Sequence, residues 1–450
     1  MDEAQFTSTE RGTVRRTLEG YKAFYPSPLP RQIDYAPSTV LKLNDAVSAI
    51  SRLAGASRLL PDPEILIGPY IRLEAVLSSR IEGTVTTVQD LLRLEVAPPE
   101  REVQEDAREV LNYVRALREE MALLPQLPLS LRLIREVHRV LMTGVRGGHF
   151  TPGEFRATQN WIGPPGCTLP GSTYVPPPPD EVLAMMGDLE TFLHDRELPD
   201  LVALAMAHYQ FEAIHPFNDG NGRVGRLLVP LVLAERGVLS WPMLYLSIYF
   251  ERHRRTYYDL LLRVSTEGDF TPWLDFFLDG VRKQARDAED RAVRLTDLQA
   301  QLRNMLLRTG ASVTAIRLAE RLLEYPYVSA SQVQGMLGVT NPTAQKAIRA
   351  LEDRDILIEL SGQQRYRFWY APKVFELVYF VENDADVSDT GGAIAPEVTS
   401  TGVLTLRCQD CGVVGRHLTM NEARSIEEEH NRERHGGQLR TVLTGDVVSQ

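Results

Sequence analysis

Apolar residues recur three and four positions apart through most of the N-terminal two thirds of the chain, the spacing of helices that each bury one face. Ser38 to Leu53 and Gly68 to Leu94 read as helices on that pattern, after an arm that ends in the proline-rich Tyr25-Pro26-Ser27-Pro28-Leu29-Pro30. Val103 to Arg146 predicts two further helices, split at Leu124-Pro125-Gln126-Leu127-Pro128, where the prolines stop one and start the next. From Thr151 to Asp180 the pattern gives way to Pro, Gly, Thr and aromatics, which suits an extended hairpin flap. Helical spacing returns over Glu181 to His194, Leu201 to Ile214, Asn221 to Arg236 and Glu251 to Arg286.

Beyond residue 310 the pattern shortens. A helix, a short helix at Ser331 to Leu337, a turn at Gly338-Val339-Thr340 and a helix from Pro342 to Arg354 precede two strand-like runs, Ile356 to Leu360 and Arg365 to Tyr370. Around Ser361-Gly362-Gln363-Gln364 these runs read as a hairpin wing after a helix-turn-helix. Asn383 to Ser400, polar and containing Gly391-Gly392, reads as a linker.

Composition narrows the class. Over 450 residues, 43% hydrophobic and 24% charged is the balance of a folded globular protein, and the length favours several domains. The apolar run Leu227 to Ala234 falls far short of the roughly 20 residues of a membrane-spanning helix. Met1-Asp2-Glu3-Ala4-Gln5 lacks the features of a secretion signal, so no membrane contact and a cytoplasmic location are expected. Three cysteines, Cys167, Cys408 and Cys411, provide no disulfide framework. A net charge of −11 argues against broad, charge-driven binding to nucleic acid.

The densest chemistry lies in His215-Pro216-Phe217-Asn218-Asp219-Gly220-Asn221-Gly222-Arg223-Val224-Gly225-Arg226. Gly220 and Gly222 flank Asn221 where an apolar helix begins, so backbone N–H groups can face an anion with the helix dipole behind them. Arg223 and Arg226, three apart, offer guanidinium forks for further phosphate oxygens. Asp219 supplies one hard oxygen, enough for Mg²⁺ when substrate phosphates and water complete the shell. His215 is the candidate base that takes a proton from an attacking hydroxyl. An ordinary turn would need few of these residues and has no use for all of them together.

This segment resembles the Fic motif, His-x-Phe-x-Asp/Glu-Gly-Asn-Gly-Arg-x-x-Arg, at every fixed position. The resemblance implies a protein adenylyltransferase that moves AMP from ATP onto a Ser, Thr or Tyr hydroxyl of a target protein or of itself. It assigns His215 as base, Asp219 to magnesium, Gly220, Asn221 and Gly222 to the anion site, and Arg223 and Arg226 to phosphate, Arg226 to the γ-phosphate. In kinase-like relatives the place of Gly222 is a lysine, so glycine points to AMP transfer. Softer matches extend over about residues 15 to 285: Gly153-Glu154-Phe155-Arg156, Asn160-Trp161-Ile162-Gly163, and Tyr257 and Tyr258 beside the nucleotide. The flap from Trp161 to Pro177, with Trp161, Ile162, Gly163, Tyr174 and Val175, would lay a target segment across the site by strand addition.

Ser78-Ser79-Arg80-Ile81-Glu82-Gly83 places Ser78 and Glu82 on one helix face, with Gly83 able to end the helix. A carboxylate at the negative end of a helix dipole favours a cationic partner. The segment is similar to the Fic inhibitory motif, Ser/Thr-x-x-x-Glu-Gly/Asn, in the subclass whose brake precedes the core, and the resemblance implies that Glu82 pairs with Arg226.

The expected fold is mainly α: a Fic-type helical bundle with a β-hairpin flap, then a winged helix-turn-helix and a small zinc-finger-like tail. The expected divisions are 1–100 with the inhibitory helix, 101–290 as the catalytic core, 291–380 as the winged helix-turn-helix, 381–400 as linker and 401–450 as the zinc module. Cys408 and Cys411, then His430 and His435 after eighteen residues, make a tetrahedral N and S ligand set for structural Zn²⁺, with His417 as rival ligand. Gln345, Lys346, Arg349, Arg365 and Arg367 would face DNA. Eight basic against seven acidic residues from Ala311 to Phe380 leave DNA contact and protein interaction both open, as is a homodimer. Two rival functions also stay open: a DNA-binding regulator whose Fic core senses nucleotide, and a hydrolase that removes AMP.

Overall fold

The computed structural model describes residues 1–59, 63–96, 105–145, 151–360 and 366–379, and the backbone of three strands between 404 and 444. Met1–Val381 form one compact unit and Glu382–Gln450 another.

The first unit opens with an antiparallel hairpin of β1 (Gly12–Arg16) and β2 (Lys22–Pro26) in which Val14 faces Phe24. The proline-rich pattern predicts only an arm, but Phe24 is wholly buried, with its ring 5.8 Å from that of Tyr174. Helices α1 (Pro37–Leu59), α2 (Glu64–Ile81), α3 (Val88–Val96), α4 (Glu105–Leu123) and α5 (Leu131–Met142) follow. The helix expected over Gly68 to Leu94 is therefore two. Gly83, at a left-handed φ of +96°, turns the chain after α2, and Thr87 accepts from Asp90 N–H to start α3. As the prolines predict, α4 and α5 separate around Pro125 and Pro128, and the Ser130 hydroxyl caps α5 by accepting from Leu133 N–H.

The centre is α7 (Asp200–Ile214), lying between α6 (Pro179–His194) and α8 (Asn221–Glu235). All of α7 except Asp200 and Glu212 is buried, which is what a helix apolar on every side requires. Its one imidazole, His208, is satisfied inside the core by Gly225 O (3.1 Å) and the Tyr257 hydroxyl (2.9 Å), and burial pushes its pKa down to about 3. Short α9 (Ser247–Arg252) and α10 (Arg254–Glu267) lead to α11 (Thr271–Arg308), an unbroken helix of 38 residues along α1. The expected boundary at 290/291 falls inside α11, because buried Ala288, Ala292 and Leu295 carry the apolar face straight through the charged run.

The rest of the unit comprises α12 (Val313–Arg321), β3 (Tyr327–Ser329), α13 (Ala330–Leu337), α14 (Asn341–Glu352), β4 (Ile358–Glu359), β5 (Phe368–Tyr370) and α15 (Pro372–Tyr379). The three strands form an antiparallel sheet in the order β3-β5-β4. This region packs on the N-terminal helices: Arg72 of α2 donates to Glu324 O (3.3 Å) and Gln332 to Glu95 O (2.7 Å). Residues 361–365, where the wing tip is expected and where Arg365 falls, lie outside the described residues. Among the described residues no helix is long and apolar enough to cross a membrane.

The second unit contains β6 (Leu404–Cys408), β7 (Gly412–Leu418) and β8 (Thr441–Thr444), antiparallel in the order β7-β6-β8. Cys408 ends β6, while Cys411, His430, His435 and the linker Asn383–Ser400 lie outside the described residues.

Candidate active site

The motif forms one turn between the central helices. His215 follows α7 in a left-handed conformation (φ 51°), its N–H on Phe211 O at 3.0 Å. A non-glycine residue there is unusual and needs support from its surroundings. Asn221, at the first position of α8, accepts from Phe217 N–H and donates to Phe217 O, both at 2.8 Å. Its buried amide thus clasps the turn, and only its backbone remains for an anion. Gly220 adopts φ +77°, and a Cβ there would lie 2.8 Å from Met142 Sδ.

Under the turn lies His138 of α5, stacked on Phe217 with ring centres 3.8 Å apart. Its Nδ1 accepts from Gly153 N–H at 2.8 Å, so the proton sits on Nε2, which donates to Asp219 O at 3.1 Å. Burial first, then Arg223, pushes the His138 pKa down to about 4, opposed by the bond to Asp219, so this imidazole is a neutral strut beneath Asp219. A histidine in an amphipathic helix gives no sign of that contact in the sequence.

Two arginines project from the start of α8, both buried. Arg223 Nη1 donates to Glu109 of α4 at 3.0 Å, and its Nη2 lies 3.4 Å from Asp219 Oδ1. Arg226 donates from Nε to Ser78 Oγ (2.9 Å) and from Nη2 to Ser78 O (2.9 Å) and Glu82 Oε1 (2.6 Å). Ser78 and Glu82, one turn apart on α2 and its C-cap, thus meet the same guanidinium. A Cβ at Gly222 would lie 2.2 Å from Glu82 Oε1 and 2.9 Å from Arg226 Nη1, so the absence of a side chain at 222 is what admits the pair. Burial alone would raise the Glu82 pKa, but Arg226 outweighs it and holds the carboxyl below its usual range; the Arg226 pKa is raised in turn, against its own desolvation.

Glu212 of α7 gave no signal in the sequence. A Cβ at Gly225 would lie 2.4 Å from its Oε1, and burial pushes its pKa up to about 8, with Arg226 opposing. Glu82 and Glu212 therefore lie over Gly222 and Gly225, one turn apart on the same face of α8.

His215 Nδ1 lies 3.3 Å from Glu212 O, and since a carbonyl only accepts, Nε2 is left as the open lone pair. Burial first and Arg156 second push its pKa down to about 4, so the ring is a neutral acceptor at physiological pH. Asp219 accepts from Gly220 N–H and keeps 46% of its side chain exposed, which fits one carboxylate offered to a hydrated cation. Among the described residues there is no cluster of three or more acidic, His or Cys side chains to cage a metal alone.

The outer residues divide. Tyr257 is buried with its hydroxyl on His208, so it is a core residue, whereas Tyr258 is 40% exposed. In the flap, Trp161 and Ile162 are exposed, and Ile162 bridges antiparallel to Tyr174. Tyr174 and Val175 are buried, Tyr174 donating to Ala213 O at 2.8 Å, so both anchor the flap and leave the exposed edge to Trp161 through Gly163.

Residues 40–121 match the Fic/DOC family N-terminal region and residues 128–233 the Fic/DOC family domain, enclosing Ser78 to Gly83 and His215 to Arg226 respectively. The chain therefore carries regions that match Fic N-terminal and Fic domains. Similar curated proteins include the protein adenylyltransferase Fic of Aedes aegypti, 34% identical over 157 residues covering 34% of this chain and 27% of that protein. The Drosophila melanogaster protein of the same name is 28% identical over 249 residues, 53% of this chain and 45% of that protein. The chain thus spans less than half the length of these relatives. A solved Fic family protein from Desulfovibrio desulfuricans G20 matches the fold at 22% identity and a TM-score of 0.50, over 77% of this chain and 98% of that one. With its small sheets, this is a mainly helical Fic fold.

Proposed function

We propose that this protein transfers AMP from ATP to a Ser, Thr or Tyr hydroxyl of a protein, itself included, and that Glu82 restrains the reaction. The observation that carries the reading is the Glu82 carboxylate lying across Gly222 onto Arg226 at the glycine-lined start of α8, in the space a phosphate group would need.

In the reaction, the target hydroxyl oxygen bonds to the α-phosphorus, the bond to pyrophosphate breaks, and the hydroxyl proton passes to His215 Nε2. The free N–H groups at the start of α8 stabilise the phosphate oxygens, and Arg226, once parted from Glu82, holds the terminal phosphate. Magnesium bound through Asp219 would neutralise charge on the phosphates. A charge-assisted hydrogen bond of about 1.5–3 kcal/mol between Glu82 and Arg226 suppresses competent binding about tenfold to a hundredfold.

The order of α13, α14 and the three-stranded sheet supports a winged helix-turn-helix reading of residues 313–379, with Asn341, Lys346 and Arg349 exposed on α14. A mobility shift with duplex DNA tests nucleic-acid contact there, and metal analysis of the purified chain tests a zinc site at Cys408, Cys411, His430 and His435. For the main reading, the test is label position: α-labelled ATP should mark protein and γ-labelled ATP should not. Transfer of γ-label, or of neither, would overturn AMP transfer.

A further inference from the structure

We infer that Arg156 is a positioning residue that couples the catalytic turn to the flap, one guanidinium orienting both the proton acceptor and the platform for the target. The inference deepens the proposed transfer reaction and rests on it.

Arg156 is 3% exposed, and every hydrogen bond described for its guanidinium ends on a backbone carbonyl. Nε donates to His215 O (2.9 Å), Nη1 to Thr158 O (3.4 Å), and Nη2 to Pro177 O and to Ile214 O (3.4 Å). Its own backbone N–H reaches Pro216 O at 2.9 Å. A buried cation without a carboxylate is costly, and its pKa is accordingly pushed down to about 10 by desolvation. Packing alone has no need of a charge here; orientation of several carbonyls at fixed angles does need a rigid fork.

The neighbouring residues show the same design with a period of two. Thr158 Oγ1 donates to Asn218 Oδ1 (3.0 Å), and Asn160 Nδ2 to Phe217 O (2.8 Å) and His215 O (3.4 Å). The side chains at 156, 158 and 160 therefore all stitch to the turn at 214–218. Between them, Gln159 faces the opposite way, donating to Pro176 O (2.9 Å) and accepting from the Tyr21 hydroxyl (2.8 Å). Trp161 begins the flap straight after Asn160, and Pro177 closes it, so Arg156 and its segment grip both feet of the flap and the backbone of His215 at once.

The charge also acts. Facing His215 are Arg156, which lowers its proton affinity, and the carboxylates Glu82 and Asp219, which raise it. Removing the cation while keeping hydrogen-bond donors therefore shifts His215 upward; keeping the cation without the fork does not.

The test uses the full chain in a Glu82→Gly background, with a short hydroxyl-bearing peptide library as acceptor. Arg156→Lys should raise the acceptor KM about tenfold with ATP KM little changed, and leave the acid limb of kcat/KM in place. Arg156→Gln should move that limb, and the His215 imidazole titration seen by NMR, to higher pH. Asn160→Ala, the milder variant, should raise acceptor KM without moving the titration. Parallel loss of every kinetic parameter with Tm, or an unmoved acceptor KM in both Arg156→Lys and Asn160→Ala, would overturn the inference. Should no protein transfer label, the reaction reading fails instead, and Arg156 is judged by the His215 titration in Arg156→Gln: an upward shift supports it and no shift overturns it.

Discussion

Two buried guanidiniums flank the catalytic turn and are held in opposite ways. Arg226, at the start of α8, pairs with the Glu82 carboxylate and the serine next to it, and its proton affinity is raised. Arg156, at the feet of the flap, is held by carbonyl dipoles, and its affinity is lowered. A carboxylate can be exchanged for a phosphate, because both are anions that fit the same fork. Backbone carbonyls have no such substitute. Arg226 therefore suits a site that changes partner during a reaction cycle, and Arg156 one that must stay still while it does.

The largest effect should come from the imidazole of the catalytic turn. His215→Ala is expected to lower AMP incorporation about 10²–10⁴-fold with ATP binding retained, as read by label transfer beside a nucleotide-binding assay. Because the neutral ring is the acceptor and its pKa is depressed to about 4, kcat/KM of the free enzyme should persist as pH falls below 6 and be lost near pH 4. An acid limb near 6.5 would show a solvated His215 and dissolve the link to Arg156.

Next in size, Glu82→Gly frees Arg226 and should raise incorporation about tenfold to a hundredfold in the same assay. The same pair carries a stability signature. The Glu82 pKa is lowered in the fold, so its contribution is present above the ordinary carboxylate range and lost as pH falls through the folded value. Denaturant unfolding of unmodified and Glu82→Gln protein should therefore diverge at neutral pH and converge in acid. Smallest, Ser78→Ala leaves Arg226 Nε buried without its hydroxyl partner, a cost of about 1–3 kcal/mol in unfolding free energy. No change there would mean that Glu82 and the carbonyl of residue 78 suffice to hold the guanidinium.

Local patterns were the legible part. The turn from His215 to Arg226 and the facing of Ser78 and Glu82 follow from residues close in sequence, and the helices from their apolar spacing. What escaped are contacts made by packing: Glu109 on Arg223, His138 beneath Asp219, and Glu212 over Gly225 join elements whose meeting no spacing encodes. The motif assigns Asn221 to the anion site; that its amide is engaged with Phe217 is visible only in the distances. Tyr257 and Tyr258 are adjacent and look alike, yet helix rotation sends one into the core and the other outward.

The 38 residues of α11 make a rod about 57 Å long. It begins beside the catalytic bundle and ends beside α12, with Leu295, Leu302 and Leu306 buried beyond residue 290. Truncating the chain at residue 290, where its composition invites a cut, would strip those leucines of cover on the discarded half and leave a frayed stub on the other; a shortened protein should end after the whole rod or before it starts.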